Sequence, residues 1–255
     1  MSLSFLFRCH INRIDNLLQT LRLISRLEHD LVQRSKCCIV VSGKIGTIET
    51  AFRNCQQICV DQAEMDLICL TNKGLERITT STVVVNDADR VAEKGFYKHA
   101  ASLLQQQTNM AVATKRIYKT AWMLSDSQIL NKKIGSVSVD ERNKTGSPLE
   151  KNVFSGHFVI NTDVLRACLS NVSHTGYGWE DQQLNHELTL LGGKSHLTED
   201  FREVHLYHEP FTYGSKDPSV LYKNNMLKYY RKIRQPPPLR VVDEFADKTM
   251  RSIIG

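Results

Sequence analysis

Apolar and polar positions alternate along the first hundred residues in a pattern that predicts strands and helices in turn. Short apolar runs at Phe5 to Cys9, 38-CIVVS-42 and 82-TVVV-85 predict buried strands. Between them, 14-IDNLLQTLRLISRL-27 places its apolar side chains at helical spacing and predicts an amphipathic helix. This alternation favours an α/β fold with a mostly parallel sheet that is covered by helices.

Other segments extend this pattern with weaker signals. The segment 47-TIETAFRNC-55 predicts a short helix, 67-LICL-70 a strand, and 73-KGLERIT-79 another helical segment. Later, 157-HFVIN-161 predicts a strand, and 162-TDVLRACL-169 predicts a short helix with Thr162 as its N-cap.

Two aspartates directly follow one of the predicted strands, in 83-VVVNDADRV-91. Ligands of a parallel sheet bind beyond the carboxyl ends of its strands, which is where Asp87 and Asp89 are expected. Two carboxylates this close repel each other by about 1 kcal/mol at 4 Å in water, and by more in a drier site. A hard cation such as Mg²⁺ or Mn²⁺ would compensate them. The alternative is that the aspartates cap a following helix.

A second acidic pair begins a predicted helix in 176-GYGWEDQQLNHELTLLGG-193. The glycines predict a turn, after which Trp179 precedes Glu180 and Asp181 in the first helical turn. A carboxylate held there can act as a general base, and the indole offers a flat face to a sugar ring. The alternative is that both acids only complement the helix dipole, for about 0.3–1 kcal/mol each.

Composition and charge narrow the function classes. The chain has 255 residues, of which 41% are hydrophobic and 24% charged, the balance of a soluble globular protein. We find no apolar run of about 18 residues and no signal-peptide pattern. Seven cysteines, an odd number without zinc-site spacing, predict free thiols in a reducing compartment. These features predict a cytoplasmic protein.

The net charge of +6 is concentrated in 223-KNNMLKYYRKIR-234. This segment is either a solvated helix face or a patch for anionic lipid head groups, so peripheral contact with an anionic membrane is one interpretation. Nucleic acid is not expected as a partner, because no binding motif elsewhere supports it.

Five pieces of the sequence, in order over about residues 5 to 210, resemble metal-dependent glycosyltransferases of the GT-A fold. The resemblance is to the inverting group that includes family 2 enzymes, chondroitin-polymerase-like domains and β-1,4-galactosyltransferases. The pieces are 9-CHINRIDNLLQTL-21, 72-NKGLERITTSTVVVNDADRV-91 with its D-x-D, 155-SGHFVINTDVLRA-167, 178-GWEDQQL-184 and 204-VHLYHEP-210.

The sequence departs from the family pattern at three places. Gln183 stands where an acidic residue is common, and Ser155 where a second glycine is usual. The acidic residues usual at the end of the second strand are replaced by 42-SGK-44. These departures bear on the choice of donor and acceptor more than on the class of reaction.

The resemblance implies a role for each matching residue. It implies metal ligation by Asp87, Asp89, and His208 or His205; because residues three apart in a strand point to opposite faces, we expect one histidine to serve. It implies nucleotide contacts from Asn12, Arg13, Asn72, Lys73 and Asp87. It implies that Asp181 is the general base, that Glu180 holds acceptor hydroxyls, and that Trp179, His157 and Gly156 line the acceptor side.

The expected protein is a single GT-A catalytic domain over residues 1–215, with a mixed, mostly parallel sheet and a Rossmann-like nucleotide-binding half. The donor half covers about 1–115, the acceptor half about 150–215, and 216–255 forms a basic extension; the polar stretch 131–151 is expected to be a surface loop. The expected activity transfers a sugar with inversion from a nucleotide sugar, such as a UDP-sugar, to a glycan or glycolipid hydroxyl in polysaccharide biosynthesis, with Mn²⁺ or Mg²⁺. The alternatives are a sugar-nucleotide nucleotidyltransferase and a non-catalytic glycan-binding module.

Overall fold

The computed structural model describes residues 3–61, 66–120, 124–130, 138–141, 153–172, 179–208, 224–228 and 230–231. Within these ranges, nine strands form one mixed sheet. The strands are β1 Leu3–His10, β2 Lys36–Ser42, β3 Asn54–Val60, β4 Thr82–Asp87, β5 Arg90–Ala92, β6 Met110–Lys119, β7 Ser138–Glu141, β8 His157–Asn161 and β9 Lys194–His205. The helices are α1 Ile14–Leu27, α2 His29–Arg34, α3 Leu67–Leu75, α4 Phe96–Gln106, α5 Asp126–Leu130, α6 Thr162–Asn171 and α7 Glu180–Leu190.

The strand order places the ends of several strands at one edge of the sheet. The order is β3-β2-β1-β4-β8-β6-β9-β5, with β7 paired to β6. Strands β3, β2, β1 and β4 run parallel, so His10 and Asp87 end at the same edge. Strand β8 runs antiparallel to β4 and begins at this edge, where His157 pairs with Asn86. The predicted α/β class with a mixed, mostly parallel sheet is confirmed.

Alternate side chains of the central strands fill two separate cores. Phe5 and Phe7 of β1 face the side that α1, α2 and α4 cover, whereas Leu6 faces the side of α3, α6 and α7. Each buried aromatic or aliphatic side chain of this kind stabilises the fold by about 1.5–3 kcal/mol. Helix α3 approaches β1 closely at Gly74, where a Cβ atom would stand 2.1 Å from Leu6 Cδ1. Any larger side chain there would push the helix off the sheet.

Two sequence predictions for local structure are wrong. The segment 47–55, predicted as a helix, is irregular up to residue 53 and then enters the edge strand β3. The segment 67–70, predicted as a strand, begins α3, because the Asp66 side chain caps the helix by accepting a hydrogen bond from the Cys69 amide at 2.9 Å. Helix α6 forms as predicted, but Asn161 rather than Thr162 is its N-cap.

Strand β9 is displaced along β6 by an irregularity in their pairing. Thr114 pairs with Thr198 and Arg116 with Arg202, so β9 advances four positions where β6 advances two. Extra residues of this kind bend a strand and increase its twist. Beyond the bend, β9 pairs with β6 on one side and with β5 on the other, which brings His205 opposite Arg90.

Two predictions concern segments that the structure describes only in part. Within 131–151, predicted as a loop, residues 138–141 form β7, and the other positions lie outside the described residues. Within the basic segment 223–234, residues 224–228, 230 and 231 are helical. In the described part of the chain, no helix has the length and apolarity needed to cross a membrane.

Candidate active site

A polar cleft lies at the edge of the sheet where β1 and β4 end and β8 begins. It has a volume of about 250 Å³. Two groups of acids predicted from different parts of the sequence both line it, Asp87 with Asp89 and Glu180 with Asp181. We call Asp87, Asp89, His205 and His208 the D-x-D wall, and Trp179, Glu180 and Asp181 the α7 wall. A shared cleft is the arrangement that a metal-bound donor and a general base both require.

Directed hydrogen bonds hold the turn that carries the two aspartates. The side-chain amide of Asn86 donates to the carbonyl oxygens of Asp87, at 2.7 Å, and Arg90, at 2.9 Å. The Asp87 amide donates to the Gly156 carbonyl at 2.7 Å. Strand β5 begins at Arg90, directly after this turn, so the aspartates do not cap a helix. The alternative role as helix caps is therefore wrong.

Gly156 is required where it lies beside this turn. Its φ of +78° is in the left-handed region, and a Cβ atom would stand 3.0 Å from Arg90 Nε. Gly156 also lines the cleft, and its predicted place on the acceptor side stays a prediction. Its backbone thus lets the Arg90 guanidinium lie close against β8.

Asp87 is paired with a buried arginine of β1. Arg8 Nη2 lies 2.6 Å from Asp87 Oδ1, and Arg8 Nε donates to the same oxygen at 2.9 Å. Arg8 Nη1 also donates to the Thr71 hydroxyl at 3.3 Å. Burial raises the pKa of Asp87, the Arg8 charge opposes this, and the Asp89 charge raises it further. Asp87 is therefore a poorer candidate ligand for a metal ion than Asp89, and its position suits a contact to the nucleotide.

Asp89 lies beside both histidines of the D-x-D wall. His208 Nε2 is 3.1 Å and His205 Nε2 is 3.5 Å from Asp89 Oδ2. One ligand atom from each of the three residues falls within 4.8 Å of the others, which fits a single metal ion. Burial alone would raise the pKa of Asp89, but hydrogen bonds from His205 and His208 hold it well below its usual range. Burial, with the Arg90 charge, lowers the pKa of His205, which favours the neutral imidazole that metals bind.

Both histidines lie near Asp89, although the alternation of faces along a strand led us to expect only one to serve as a metal ligand, and the reason is geometric. Strand β9 ends at His205, and residues 206–208 leave the strand conformation, so strict alternation of faces no longer applies. The Leu206 amide donates to the Asp89 carbonyl at 2.8 Å, which turns the chain around the aspartate. His208 then points back to His205, with their Nε2 atoms 3.1 Å apart.

A fully buried carboxylate supports the D-x-D wall from behind. Glu203, which is 0% exposed, accepts from Arg90 Nη1 at 3.0 Å and from the Thr114 hydroxyl at 2.9 Å. His157 Nδ1 lies 2.9 Å from Glu203 Oε2, the same oxygen that accepts from Thr114, whereas Arg90 donates to Oε1. His157 is itself 0% exposed, so its predicted place on the acceptor side of the cleft is wrong. Its ring instead belongs to the buried cluster that ties β8 to β9.

The α7 wall begins with a residue in an unusual conformation. Trp179 has φ 73° and ψ −3°, which costs an L-residue about 1–2 kcal/mol. Its carbonyl accepts the first helical hydrogen bond, from the Gln183 amide at 3.1 Å. Glu180 and Asp181 follow as the first two residues of α7, and Asp181 Oδ1 accepts from the Gln182 amide at 2.8 Å. The conformation of Trp179 therefore sets the direction in which both acids leave the turn.

Trp179 does not offer its indole to the cleft in this arrangement. Its side chain is 3% exposed, and its ring packs against Tyr230, with centroids 6.1 Å apart. Stacking on an acceptor sugar, which the resemblance implied, would require this buried ring to become exposed. The buried ring instead fixes the start of α7.

The overall architecture matches solved structures with low sequence identity. GalNAc-T7, solved with UDP, GalNAc and Mn²⁺, superposes with a TM-score of 0.60 at 13% identity, over 96% of this chain and 50% of that one. S. aureus TarS 1–349, in complex with UDP-GlcNAc, gives 0.59 at 11% identity, over 90% and 67%. A further S. aureus TarS structure gives 0.56 at 13% identity, over 81% and 37%. The chain has the GT-A fold.

This chain thus spans half the length of the GalNAc-T7 chain that it matches. No family model matches the sequence, and no curated protein matches it. The GT-A fold is therefore established by the architecture, while the activity is argued from the cleft.

The structure brings only some of the residues predicted to contact the nucleotide to the cleft. Arg13 lines the cleft, and its Nη1 lies 3.0 Å from Asp89 Oδ2. Asn12 is exposed, and its amide donates to His10 Nδ1 at 3.2 Å. Asn72 and Lys73 lie exposed in the last turn of α3, where Lys73 pairs with Glu76 at 2.9 Å. Helix α3 meets the cleft at its other end, at Leu67, so the structure does not bring these two residues to the cleft, and their contact with the nucleotide stays a prediction.

Three basic residues of the cleft, Arg8, His10 and Arg90, were not predicted from the sequence. A signal existed for Arg8, since a charged side chain inside the otherwise apolar strand 3-LSFLFRCH-10 needs a buried partner. Burial, with the Arg13 charge, lowers the pKa of His10.

Proposed function

We propose that this protein is a glycosyltransferase that moves a sugar from a nucleotide sugar, of the UDP-sugar class, to a hydroxyl group of a glycan or glycolipid acceptor with inversion. One observation carries this proposal: the D-x-D wall and the acids of the α7 wall line one cleft. The first group suits a metal-bound diphosphate, and the second suits the acceptor. Neither group alone would require the other to be near.

The D-x-D wall fits a divalent cation. Asp89, His205 and His208 would hold it through one oxygen and two imidazole nitrogens. Nitrogen ligands favour Mn²⁺ over Mg²⁺, which prefers oxygen ligands and water. When bound, the ion would supply Lewis-acid chemistry by neutralising charge that develops on the leaving diphosphate.

Guanidinium groups of the cleft suit the same diphosphate. Arg13 and Arg90 lie beside Asp89, and Arg90 is oriented by its bond to Glu203. Planar guanidinium groups bind phosphate oxygens with two parallel hydrogen bonds. Arg8 is occupied by Asp87 and Thr71, so we assign it to holding Asp87 in place for the nucleotide.

Asp181 is the proposed general base. The acceptor hydroxyl oxygen attacks the anomeric carbon, its proton passes to the Asp181 carboxylate, and the bond from the anomeric carbon to the diphosphate oxygen breaks. The nucleoside diphosphate leaves with that electron pair, and a single displacement inverts the anomeric centre. Glu180, which is mostly buried beside the cleft, is assigned to holding acceptor hydroxyl groups. General-base catalysis of this kind contributes about 10²–10⁴-fold in rate.

The two alternatives predict different products. A nucleotidyltransferase would join a sugar phosphate to a nucleoside triphosphate and release pyrophosphate, and would not need a base facing an acceptor. A glycan-binding module would bind sugars without turnover. The shared cleft favours the transferase, because it contains both a candidate ion site and a candidate base.

The test is a panel of nucleotide sugars with Mn²⁺ and with Mg²⁺, followed by release of the nucleoside diphosphate and by NMR of the product's anomeric proton. We expect one preferred UDP-sugar, higher activity with Mn²⁺, and an inverted anomeric centre. A retained anomeric centre would exclude the single-displacement role of Asp181. Absence of both turnover and Mn²⁺-dependent nucleotide binding across the panel would exclude the enzyme itself.

Two wider expectations stay proposals. One is the division into a catalytic domain over 1–215 and a basic extension over 216–255. The packing of Tyr230 on Trp179 is a contact between these two parts. The other is contact of the basic segment 223–234 with anionic membranes.

A further inference from the structure

The start of α7 depends on backbone strain that packing must hold. Among the described residues, Trp179 is the only non-glycine residue with a positive φ, 73°. Conformations of this kind persist only where the surrounding structure fixes them, and they cluster at functional sites. Trp179 directly precedes Glu180 and Asp181, so any relaxation of its backbone rotates the first turn of α7.

A ring from the far end of the described chain packs against Trp179. Tyr230 is 8% exposed, and its ring is tilted by 53° against the indole at 6.1 Å between centroids. In the same helical segment, Asn225 and Met226 are also buried, whereas Arg231 is exposed. The segment therefore presents one packed face to the protein, and Tyr230 of that face contacts Trp179.

We propose that Tyr230 is a positioning residue, which holds Trp179 in the left-handed conformation and thereby aims Asp181 into the cleft. The inference rests on the proposed function, since it assigns Tyr230 an effect on the base of that reaction. Tyr230 is not among the residues that line the cleft, so it acts through Trp179 and not on the substrates. A misplacement of about 1 Å in a catalytic group can lower a rate about a hundredfold.

The central experiment compares Tyr230→Ala with Tyr230→Phe, which keeps the ring. For Tyr230→Ala we expect kcat to fall about 10–100-fold, while the KM for the donor and Mn²⁺-dependent UDP binding change by about twofold or less. Tyr230→Phe is expected to retain the activity of the unmodified protein. Arg231→Ala is the matched control, because it changes the next, exposed residue of the same segment and should leave all three quantities unchanged.

A second measurement reports on Trp179 without any turnover. The chain contains two tryptophans, Trp122 and Trp179, so Trp122→Phe leaves Trp179 as the only indole fluorophore. In that background, Tyr230→Ala should shift the emission to longer wavelength and increase quenching by acrylamide, and Tyr230→Phe should do neither. Unchanged emission in Tyr230→Ala would overturn the packing on which the inference depends.

The outcomes separate this inference from the proposed function. If the unmodified protein neither binds UDP with Mn²⁺ nor transfers sugar, the proposed function fails whatever the fluorescence shows. If it does both and Tyr230→Ala keeps its kcat, or loses kcat and donor binding together, the positioning role is overturned. Should Tyr230→Ala not fold, Tyr230→Leu preserves much of the buried volume and is expected to show the same division between kcat and donor binding.

Discussion

The two walls of the cleft are built in different ways. On the D-x-D wall, Asn86, Arg8 and the Gly156 carbonyl hold the aspartates through directed bonds of 2.6–2.9 Å. The α7 wall begins at Trp179, whose backbone is strained and whose indole packs against the ring of Tyr230. The first wall is therefore specified by hydrogen bonds and charge, and the second also depends on a strained backbone and on the packing of two rings.

This difference has consequences for how each wall responds to change. Removing one partner of a buried ion pair leaves the other charge unpaired, which costs about 3–5 kcal/mol. Loss of packing is graded, because neighbouring side chains partly relax into the space. We expect substitutions on the D-x-D wall to act on binding in large steps, and those behind the α7 wall to act on the rate in smaller ones.

The largest effect is expected from Asp89→Asn. This change removes the charge of the only carboxylate in the Asp89, His205 and His208 cluster. We expect Mn²⁺-dependent UDP binding to disappear and transfer to fall by about 10⁴-fold. The reason is that the site then binds the ion weakly, and the ion no longer holds the diphosphate. Isothermal titration with Mn²⁺ and UDP measures the first, and product formation the second. Asp61→Asn, at an exposed carboxylate, is the control, and equal UDP binding in both variants would remove Asp89 from the ion site.

The second-largest effect is expected from Asp181→Asn, which tests the α7 wall independently of the D-x-D wall. Asp181→Asn should lower kcat by about a thousandfold, since the amide cannot take the acceptor proton, while Mn²⁺ and UDP affinities stay the same. Steady-state kinetics with titrations of both ligands make the comparison. The control is Asp163→Asn in the first turn of α6, where the exposed carboxylate pairs with Arg166. Normal transfer by Asp181→Asn would require another base.

The smallest effect concerns the support behind the D-x-D wall. Glu203→Gln keeps the shape but removes the charge that orients Arg90, so we expect Mn²⁺ affinity to weaken about tenfold and the Tm to fall. Glu199→Gln changes an exposed residue of the same strand, paired with Lys115, and should alter neither. Calorimetry measures the Tm of both variants, and titration measures their Mn²⁺ affinity. If the two variants behave alike, the buried cluster does not support the ion site.

The central strands and the acidic motifs were predictable because their signals are local. An apolar run such as Val83 to Val85 followed by Asp87 needs no distant information to be recognised. Short ambiguous runs were not predictable in this way, because four apolar residues such as those at 67–70 fit a strand or a buried helix equally well. The signal that was missed is the Asp66 cap.

The partners of the site residues depended on contacts that a sequence does not display. His157 and Glu203 lie on different strands, and only the folded sheet places them 2.9 Å apart. The same holds for Arg8 with Asp87, and for His208, which reaches Asp89 because β9 ends before it. Residue type could suggest each group, but the pairing came from topology.

The candidate ion site depends on contacts between residues that are far apart along the chain. Arg90 and Glu203, which join β5 to β9, are 113 positions apart.

 Closing a loop of that size lowers the entropy of the chain before any contact can offset the loss, so such pairings form late in folding. The residues that would hold the ion therefore meet only when the sheet is complete, and the affinity for Mn²⁺ becomes a measure of whether a chain has finished folding.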